Sequence, residues 1–401
     1  MPAGWEKYSI LNGDRCNRKF QIPKRMNVLQ RLEQLGQSIW YDNISRGLIQ
    51  HGELQRMVDQ GLLGVTSNPT IFEKAISGSA DYDDQIRGLV GENPDIRVAD
   101  IIQALMIRDI QMATDVLYPA YERTGGRDGY VSVEVNPGKA RDTQATLEEV
   151  RLLWSRIGRK NLMVKIPATK EGLPAIEQAI AEGMNINVTL IFAVDRYREV
   201  ANAYVTGLER RLKAGKPLEH VASVASVFVS RIDTLVDDLL HKMVLDGGLL
   251  HGLLGKAAVA NTKLMYQAFR EIFESPRFVS LIGHGARVQR PLWGSTSTKN
   301  PAYPDLIYVD TLIGPHTVNT VPPATYTAIL DHGTAALTVE TALDEARAKL
   351  RALAAAGIDM AGVTRKLEED GVASFEKSFD GLYRNLEVKK NEFSRSVRSP
   401  G

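Results

Sequence analysis

NLMVKIPAT, residues 161–169, joins the pattern of a buried strand to a single positive charge. An apolar run at residues 162–164 ends at Lys165, and Pro167 closes it. Apolar runs of this length beside a proline are typical of buried strands in parallel sheets. An ammonium group at the end of such a strand costs free energy, and burial favours the neutral amine that attacks a carbonyl. Taken alone, the stretch favours a lysine that extends into water, so the case for a nucleophile depends on the rest of the chain.

Seven further stretches have the length and apolar content of strands: residues 37–41, 62–65, 130–136, 186–192, 221–229, 288–294 and 306–310. Most of them are separated by helical patterns, among them residues 194–213 and 257–273, and the last seventy residues also favour helices. Eight strands alternating with helices predict an α/β fold, a single (β/α)8 barrel of the TIM type with extra C-terminal helices. Residues 315–323 are predicted to be a polar loop. The domain division is a flexible N-terminal arm at 1–26 and a barrel domain at 27–398.

Composition limits the kinds of partner. The 401 residues carry 49 Lys and Arg against 48 Asp and Glu, a formal net charge of +1, so no basic surface for nucleic acid or an anionic membrane is expected. The single cysteine, Cys16, excludes a disulfide framework and a cysteine-based zinc site. Neither the apolar core of a signal peptide nor an 18-residue apolar run is present. We therefore expect a cytoplasmic enzyme or binding protein.

Polar side chains stand near the carboxyl ends of the predicted strands, where barrel enzymes place their chemistry. Asp42 follows the first strand and is a candidate general base, although an aspartate there also caps helices. Asn68 precedes a proline, so simple helix capping is a strong alternative for it. The strand at 130–136 alternates strictly, and inside a barrel its polar face makes Glu134 a candidate acid or base. Asn187 and Thr189 share one face of the predicted strand at 186–192.

Five motifs in order resemble the transaldolase family: GVTSNPTIF (64–72), VSVEVNP (131–137), NLMVKIPAT (161–169), NINVTLIF (185–192) and SVFVSRI (226–232). The segments RPLWGSTSTKNP and LIGPHTVNTVPP resemble the longer bacterial branch of that family. The resemblance spans residues 29–390. It implies a class I aldol mechanism without a cofactor or a metal ion.

The resemblance implies a role for each matching catalytic residue. Lys165 would form a Schiff base with the C2 ketone of a ketose phosphate, so that the C3–C4 bond can break. Glu134 would move protons through a water molecule held by Thr189. Asp42 would take the proton of the C4 hydroxyl and return it during condensation.

The matching binding residues divide the substrate between them. Asn68 and Asn187, helped by Thr66 and Ser226, would hold the three-carbon unit. Arg231 would bind the phosphate, because its guanidinium matches phosphate oxygens. The shorter branch of the family has a second arginine at the phosphate. This chain has Ser295, Thr296 and Lys299 at that place, and these three residues are candidates for binding the phosphate.

Three functions stay open at this point. The first is a transaldolase that moves dihydroxyacetone from sedoheptulose 7-phosphate or fructose 6-phosphate to glyceraldehyde 3-phosphate or erythrose 4-phosphate, in the non-oxidative pentose phosphate pathway. The second is an aldolase of the same superfamily that releases free dihydroxyacetone. That group has a tyrosine where this chain has Phe228, which favours transfer. The third is a catalytically silent sugar-phosphate binding protein. Monomer and homodimer are both compatible with the sequence.

Overall fold

Eight parallel strands form a closed barrel in the computed structural model, which describes residues 26–243 and 251–398. The strands are β1 (Gln37–Tyr41), β2 (Gly64–Thr66), β3 (Tyr130–Glu134), β4 (Leu162–Pro167), β5 (Ile186–Ile191), β6 (Ser223–Phe228), β7 (Arg290–Gly294) and β8 (Thr317–Val321). They follow one another in chain order around the barrel, and β1 pairs with β8 to close it. The predicted (β/α)8 barrel is confirmed. The predicted N-terminal arm lies outside the described residues, except for Met26.

Helices surround the barrel and cover its carboxyl side. They are α1 (Val28–Gln34), α2 (Arg46–Gln50), α3 (Glu53–Gln60), α4 (Pro69–Ser77), α5 (Asp83–Glu92), α6 (Val98–Arg123), α7 (Thr143–Ile157), α8 (Gly172–Glu182), α9 (Val194–Lys213), α10 (Ser230–Lys242), α11 (Ala257–Phe273), α12 (Pro276–Ile282), α13 (Ile307–Asp310), α14 (Pro323–His332), α15 (Leu343–Ala355) and α16 (Met360–Arg398). The helix α5 falls in a stretch that its polarity marks as irregular. No helix in the described ranges is long and apolar enough to span a bilayer.

The eighth strand is not where the sequence pattern predicts it. In the stretch 306–310, residues 307–310 form the short helix α13, and β8 lies within the predicted polar loop. The prediction was wrong because β8 carries polar side chains that are nevertheless fully buried. Thr317 Oγ1 donates to the carbonyl of Gly314, and Asn319 Nδ2 donates to the carbonyl of Tyr308, 3.3 Å away. A strand whose polar side chains are buried and hydrogen-bonded inside a barrel does not show the apolar alternation that identifies strands in sequence.

The register of three neighbouring strands brings polar residues to one level of the barrel. Glu134 on β3 is paired with Lys165 on β4, and Lys165 is paired with Asn187 on β5. The alternating valines of β3, such as Val133, are buried in the main apolar core. Side chains alternate between the faces of a strand, so the polar residues of β3 face the interior. The strict alternation in the sequence is therefore explained by the barrel.

At the amino-terminal end of the barrel, a buried ion pair joins strands to the loop before β3. Arg290 Nη1 lies 2.9 Å from Asp128 Oδ1, and both side chains are almost inaccessible to solvent. Ser38 and Trp40 also donate to the Asp128 carboxylate, at 2.9 and 3.1 Å. Burial alone would raise the pKa of Asp128, but the Arg290 charge and these hydrogen bonds lower it. This end of the barrel is therefore filled by a buried, hydrogen-bonded structural network, and the open cavity lies at the other end.

Candidate active site

A cavity of about 610 Å³ opens at the carboxyl ends of the strands. It is lined by nine of the thirteen residues that the sequence singles out: Asp42, Thr66, Asn68, Lys165, Ser226, Phe228, Arg231, Ser295 and Lys299. Glu134, Asn187 and Thr189 are instead buried on the strands that flank Lys165. Thr296 is buried beside β8, where its hydroxyl donates to the carbonyl of Thr320 at 3.3 Å. Barrel folding thus gathers positions that are up to 257 residues apart in the chain, from Asp42 to Lys299.

Lys165 lies in a buried ion pair. Its Nζ is 3.1 Å from Glu134 Oε2 and donates a 2.9 Å hydrogen bond to the carbonyl of Ser67. The two ionisable side chains are only 5% and 1% exposed. Burial raises the pKa of Glu134, and the Lys165 charge offsets that effect only in part. Glu134 is therefore a better proton acceptor than an exposed carboxylate, directly beside the amine.

Two buried oxygens near this pair have no hydrogen-bond partner among the described residues. They are Glu134 Oε1 and Thr189 Oγ1. Buried polar atoms are usually satisfied by protein or by water. A water molecule or a substrate hydroxyl would satisfy either atom, and the water at Thr189 stays a prediction.

The strand β5 is irregular directly after Thr189. The pairing of β5 with β6 shifts between Val188 and Ile191, and Leu190 has a φ of 61°. Such backbone is unfavourable for a branched side chain. Leu190 packs against α16, where a Cβ added to Gly371 would lie 2.8 Å from its Cδ2. The bulge therefore turns Leu190 outward onto the C-terminal helix at the residue beside Thr189.

Asp42 is tied to strands on both sides. Thr66 Oγ1 donates to Asp42 Oδ1 at 2.6 Å and lies 2.7 Å from Thr320 Oγ1. Burial raises the pKa of Asp42, against the lowering effects of the Lys165 charge and the Thr66 hydrogen bond. Its side chain makes no helix-capping hydrogen bond among the described residues, and Ser45 caps α2 instead. The structure places Asp42 in the cavity with a raised proton affinity, as a general base requires.

The two asparagines are held differently. Asn187 Nδ2 donates to Ser132 Oγ at 3.0 Å, and its Oδ1 accepts a 2.7 Å hydrogen bond from Ser226. Asn68 Oδ1 caps α4 by accepting from the backbone N–H of Ile71 at 3.0 Å. The capping alternative for Asn68 is thus correct, but its amide nitrogen makes no hydrogen bond to the described residues and the side chain lines the cavity. Capping and substrate binding are compatible at this position.

The far end of the cavity is basic. Arg231 stands in the first turn of α10 with its Cζ 5.2 Å from the centre of the Phe228 ring. Within the described residues it makes no ion pair or hydrogen bond, and burial lowers its pKa although Asp42 and Glu134 oppose this. Lys299 Nζ donates to Ser297 Oγ at 2.6 Å. Partial desolvation at the cavity wall and the neighbouring cation of Arg231 lower the pKa of Lys299, although much of its side chain is exposed. Unpaired cations that repel one another are stabilised by a bound anion.

Several groups that line the cavity or contact its residues were not predicted from the sequence. The carbonyl of Ser67 and the hydroxyls of Ser132 and Thr320 contact the predicted residues, and Lys74 and Phe375 line the cavity. Ser132 follows from the polar face of β3. Lys74 lies two residues past the GVTSNPTIF motif, and nothing in its spacing distinguishes it from a surface lysine. Phe375 comes from α16, some 200 residues after Lys165, and no local pattern links the two.

A larger cavity, of about 690 Å³, lies beside the loops after β4 and β5, under the start of α16. None of the predicted residues lines it, and its charges are mixed, with Arg196 Nη1 2.9 Å from Glu199 and Nε 3.6 Å from Glu368. Size alone therefore does not identify the site; the convergence of Lys165, two acids and free cations does. Across the described ranges, no cluster of three or more His, Cys, Asp or Glu residues has the geometry of a metal site.

The comparisons of this chain with known proteins agree on one family. The sequence model of the transaldolase/fructose-6-phosphate aldolase family matches residues 39–386. The chain is 48% identical to the transaldolase of Acidothermus cellulolyticus, over 92% of this chain and 99% of that protein. It is 46% identical to transaldolase 2 of a Nostoc species, over 91% and 98% of the two chains. The identity with the transaldolase of Neisseria gonorrhoeae is 44%, over 90% and 100%.

Proposed function

The chain is an enzyme that belongs to the transaldolase/fructose-6-phosphate aldolase family, and we propose that it transfers a dihydroxyacetone unit between sugar phosphates through a Schiff base on Lys165. The donor is sedoheptulose 7-phosphate or fructose 6-phosphate, and the acceptor is glyceraldehyde 3-phosphate or erythrose 4-phosphate. The observation that carries the proposal is the buried Lys165–Glu134 pair in a cavity whose far end holds unpaired cations. These reactions belong to the non-oxidative pentose phosphate pathway.

The amine must lose its proton before it attacks. Glu134 Oε2 is 3.1 Å from Lys165 Nζ and has a raised pKa, so it can take that proton. The nitrogen then adds to the C2 carbonyl of the donor, and the carbonyl oxygen leaves as water after it has gained two protons. Glu134 supplies and removes these protons through water held at Thr189. The product of this stage is a protonated imine on Lys165.

The imine accepts the electron pair of the C3–C4 bond. Asp42 takes the proton of the C4 hydroxyl, the bond breaks, and an aldose phosphate leaves. An enamine of dihydroxyacetone stays on Lys165. Condensation with a second aldose phosphate reverses these steps, with Asp42 returning the proton, and hydrolysis of the new imine frees the ketose phosphate. No electrons are gained or lost by the enzyme.

Transfer requires that the enamine survive until the acceptor arrives. Asn68 and Asn187, with Thr66 and Ser226, supply hydrogen-bonding groups around Lys165 for its hydroxyls. Beside them, Phe228 packs edge-on against Phe192, with ring centres 5.6 Å apart. A phenylalanine at this position has no hydroxyl to hold a water molecule that could protonate the enamine. This favours transfer over the second candidate, an aldolase that releases dihydroxyacetone.

The test incubates the purified protein with fructose 6-phosphate, with and without erythrose 4-phosphate, in the presence of a chelator. Sedoheptulose 7-phosphate that forms only with the acceptor is the expected result. Free dihydroxyacetone at a similar rate without the acceptor would replace transfer by the aldolase reaction. No turnover in either mixture would favour a silent binding protein.

The covalent step has its own test. Borohydride added with fructose 6-phosphate should fix a three-carbon adduct on Lys165, detected by peptide mass spectrometry. Lys165→Ala should lose both the adduct and turnover. Substantial activity in that variant would exclude the Schiff base.

A further inference from the structure

The helix α10, whose first turn contains Arg231, also carries two buried acids. Asp233 and Asp237 lie one turn apart on α10, and they are 2% and 7% exposed. Asp233 accepts hydrogen bonds from the Tyr308 hydroxyl and from the backbone N–H of Ala258, both at 2.8 Å. Burial raises the pKa of Asp233 to about 6, so at neutral pH it is ionised and accepts both. Charged acceptors make hydrogen bonds about twice as strong as neutral ones.

Asp237 repeats this arrangement one turn further along α10. Its Oδ2 accepts from the Tyr303 hydroxyl at 2.7 Å, and its Oδ1 accepts from the backbone N–H of Gly255 at 2.9 Å. Gly255 has a φ of +65°, and a Cβ there would lie 2.7 Å from the Tyr303 ring. The approach of the two segments is therefore close and specific.

Both tyrosines belong to the connection between β7 and β8, which we call the Lys299 loop (residues 295–308). The loop is tied internally, since Thr298 Oγ1 donates to the carbonyls of Pro304 and Asp305 at 3.0 and 3.1 Å. It is tied to α10 at its start as well, where Ser295 Oγ lies 3.0 Å from Ser230 Oγ. Lys299 itself is exposed and bonds only to Ser297 within the described residues. Its position over the cavity depends on the backbone of the loop.

We propose that Asp237–Tyr303 and Asp233–Tyr308 are positioning pairs, which hold the Lys299 loop at a fixed distance from Arg231 so that both cations meet one phosphate. Arg231 and the two acids are on the same helix, so the helix itself sets the spacing. This inference rests on the proposed function, because it takes the basic end of the cavity as the phosphate site. None of these four residues lines the cavity or bonds to Lys165, so their effect is expected only at the phosphate end.

The test separates phosphate binding from chemistry. Tyr303→Phe removes one hydroxyl and keeps the ring on Gly255. We expect KM for fructose 6-phosphate to rise about threefold, less than the roughly tenfold effect of removing the Lys299 charge itself, with kcat within about twofold of the parent. The dissociation constant of glucitol 6-phosphate, measured by calorimetry, should rise by the same factor. This probe has no carbonyl, so its binding is independent of the Schiff base. The dissociation constant of glucitol should not change.

Tyr204→Phe is the matched control. Tyr204 donates a hydrogen bond of the same length, 2.7 Å, to the carbonyl of Arg287 outside the cavity. Its loss should leave both dissociation constants unchanged. Equal weakening in the two variants, or a fall in kcat with an unchanged dissociation constant, would overturn the positioning role. If the parent binds glucitol 6-phosphate more tightly than Tyr303→Phe but does not turn over fructose 6-phosphate, the positioning role stands and the proposed function fails.

Discussion

Replacing Arg231 by methionine should remove activity on phosphorylated donors while leaving stability nearly intact. The Arg231 charge is largely buried, its pKa is lowered by that burial, and it has no ion-pair partner in the described parts of the chain. In the free protein, the Arg231 charge is stabilised by a cation–π contact with the Phe228 ring, whose centre lies 5.2 Å from Cζ. Such a contact contributes about 0.5–1 kcal/mol. Methionine keeps the apolar stem and removes the desolvated charge. The free energy of unfolding should therefore change by less than about 1 kcal/mol.

The expected loss of activity follows from the contacts with phosphate. Two charge-assisted hydrogen bonds contribute about 1.5–3 kcal/mol each, and Lys299 retains part of that energy. A net loss of about 3–4 kcal/mol lowers kcat/KM by about 10²–10³. Lys299→Met should lower kcat/KM less, by about tenfold, because a partly exposed ammonium would make a single contact with the phosphate.

The assay compares kcat/KM for fructose 6-phosphate and for fructose, with erythrose 4-phosphate as acceptor, together with thermal unfolding. Fructose turnover should change little in Arg231→Met. Arg198→Met is the control, since Arg198 is a surface residue whose ion pair with Glu271, at 2.6 Å, lies outside the cavity. Equal losses on both donors, or a large drop in the unfolding temperature, would refute the assignment of Arg231 to the phosphate.

Three further outcomes are expected. Burial raises the pKa of Asp42 above 3.8, and Asp42 must be ionised to accept a proton. The value of kcat/KM should therefore fall at low pH with a midpoint above 3.8. A midpoint at or below 3.8 in the pH–rate profile would contradict this role of Asp42. Thr189→Val should slow borohydride trapping by about 10–100-fold, because it removes the hydroxyl that holds the water. Normal trapping rates would exclude the water site. Asp128→Ala leaves Arg290 buried and unpaired, so the free energy of unfolding, measured in urea, should fall by about 3–5 kcal/mol. The control Asp115→Ala removes an exposed ion pair and should lower the same free energy by less than about 1 kcal/mol.

Local patterns were sufficient for most of the fold. The strand at 37–41 and the helices at 194–213 and 257–273 have the predicted bounds. Their periodicity is produced by one apolar face against the core, which is a property of neighbouring residues. The eighth strand was missed for the opposite reason. Its polar side chains are buried inside the barrel, where they hydrogen-bond to backbone carbonyls, so the sequence shows no apolar pattern that would identify the strand.

For the site, the sequence by itself determined the chemical groups. Lys165 at the end of an apolar run, Glu134 on an alternating strand, and Arg231 after SVFVS are visible as residue types in a linear pattern. Distances and proton affinities were not visible. They depend on the register of β3 against β4, which sets Lys165 and Glu134 3.1 Å apart, and on the burial that raises the pKa of Glu134.

The tertiary structure alone decided which distant segments complete the cavity. Phe375 arrives on α16, Thr320 on the unrecognised β8, and Lys299 on a loop that α10 fastens through Asp237. None of these contacts follows from spacing along the chain, because closing a barrel brings together residues whose sequence separation carries no information about distance. The sequence determined what the site is made of, and barrel closure determined where each group stands.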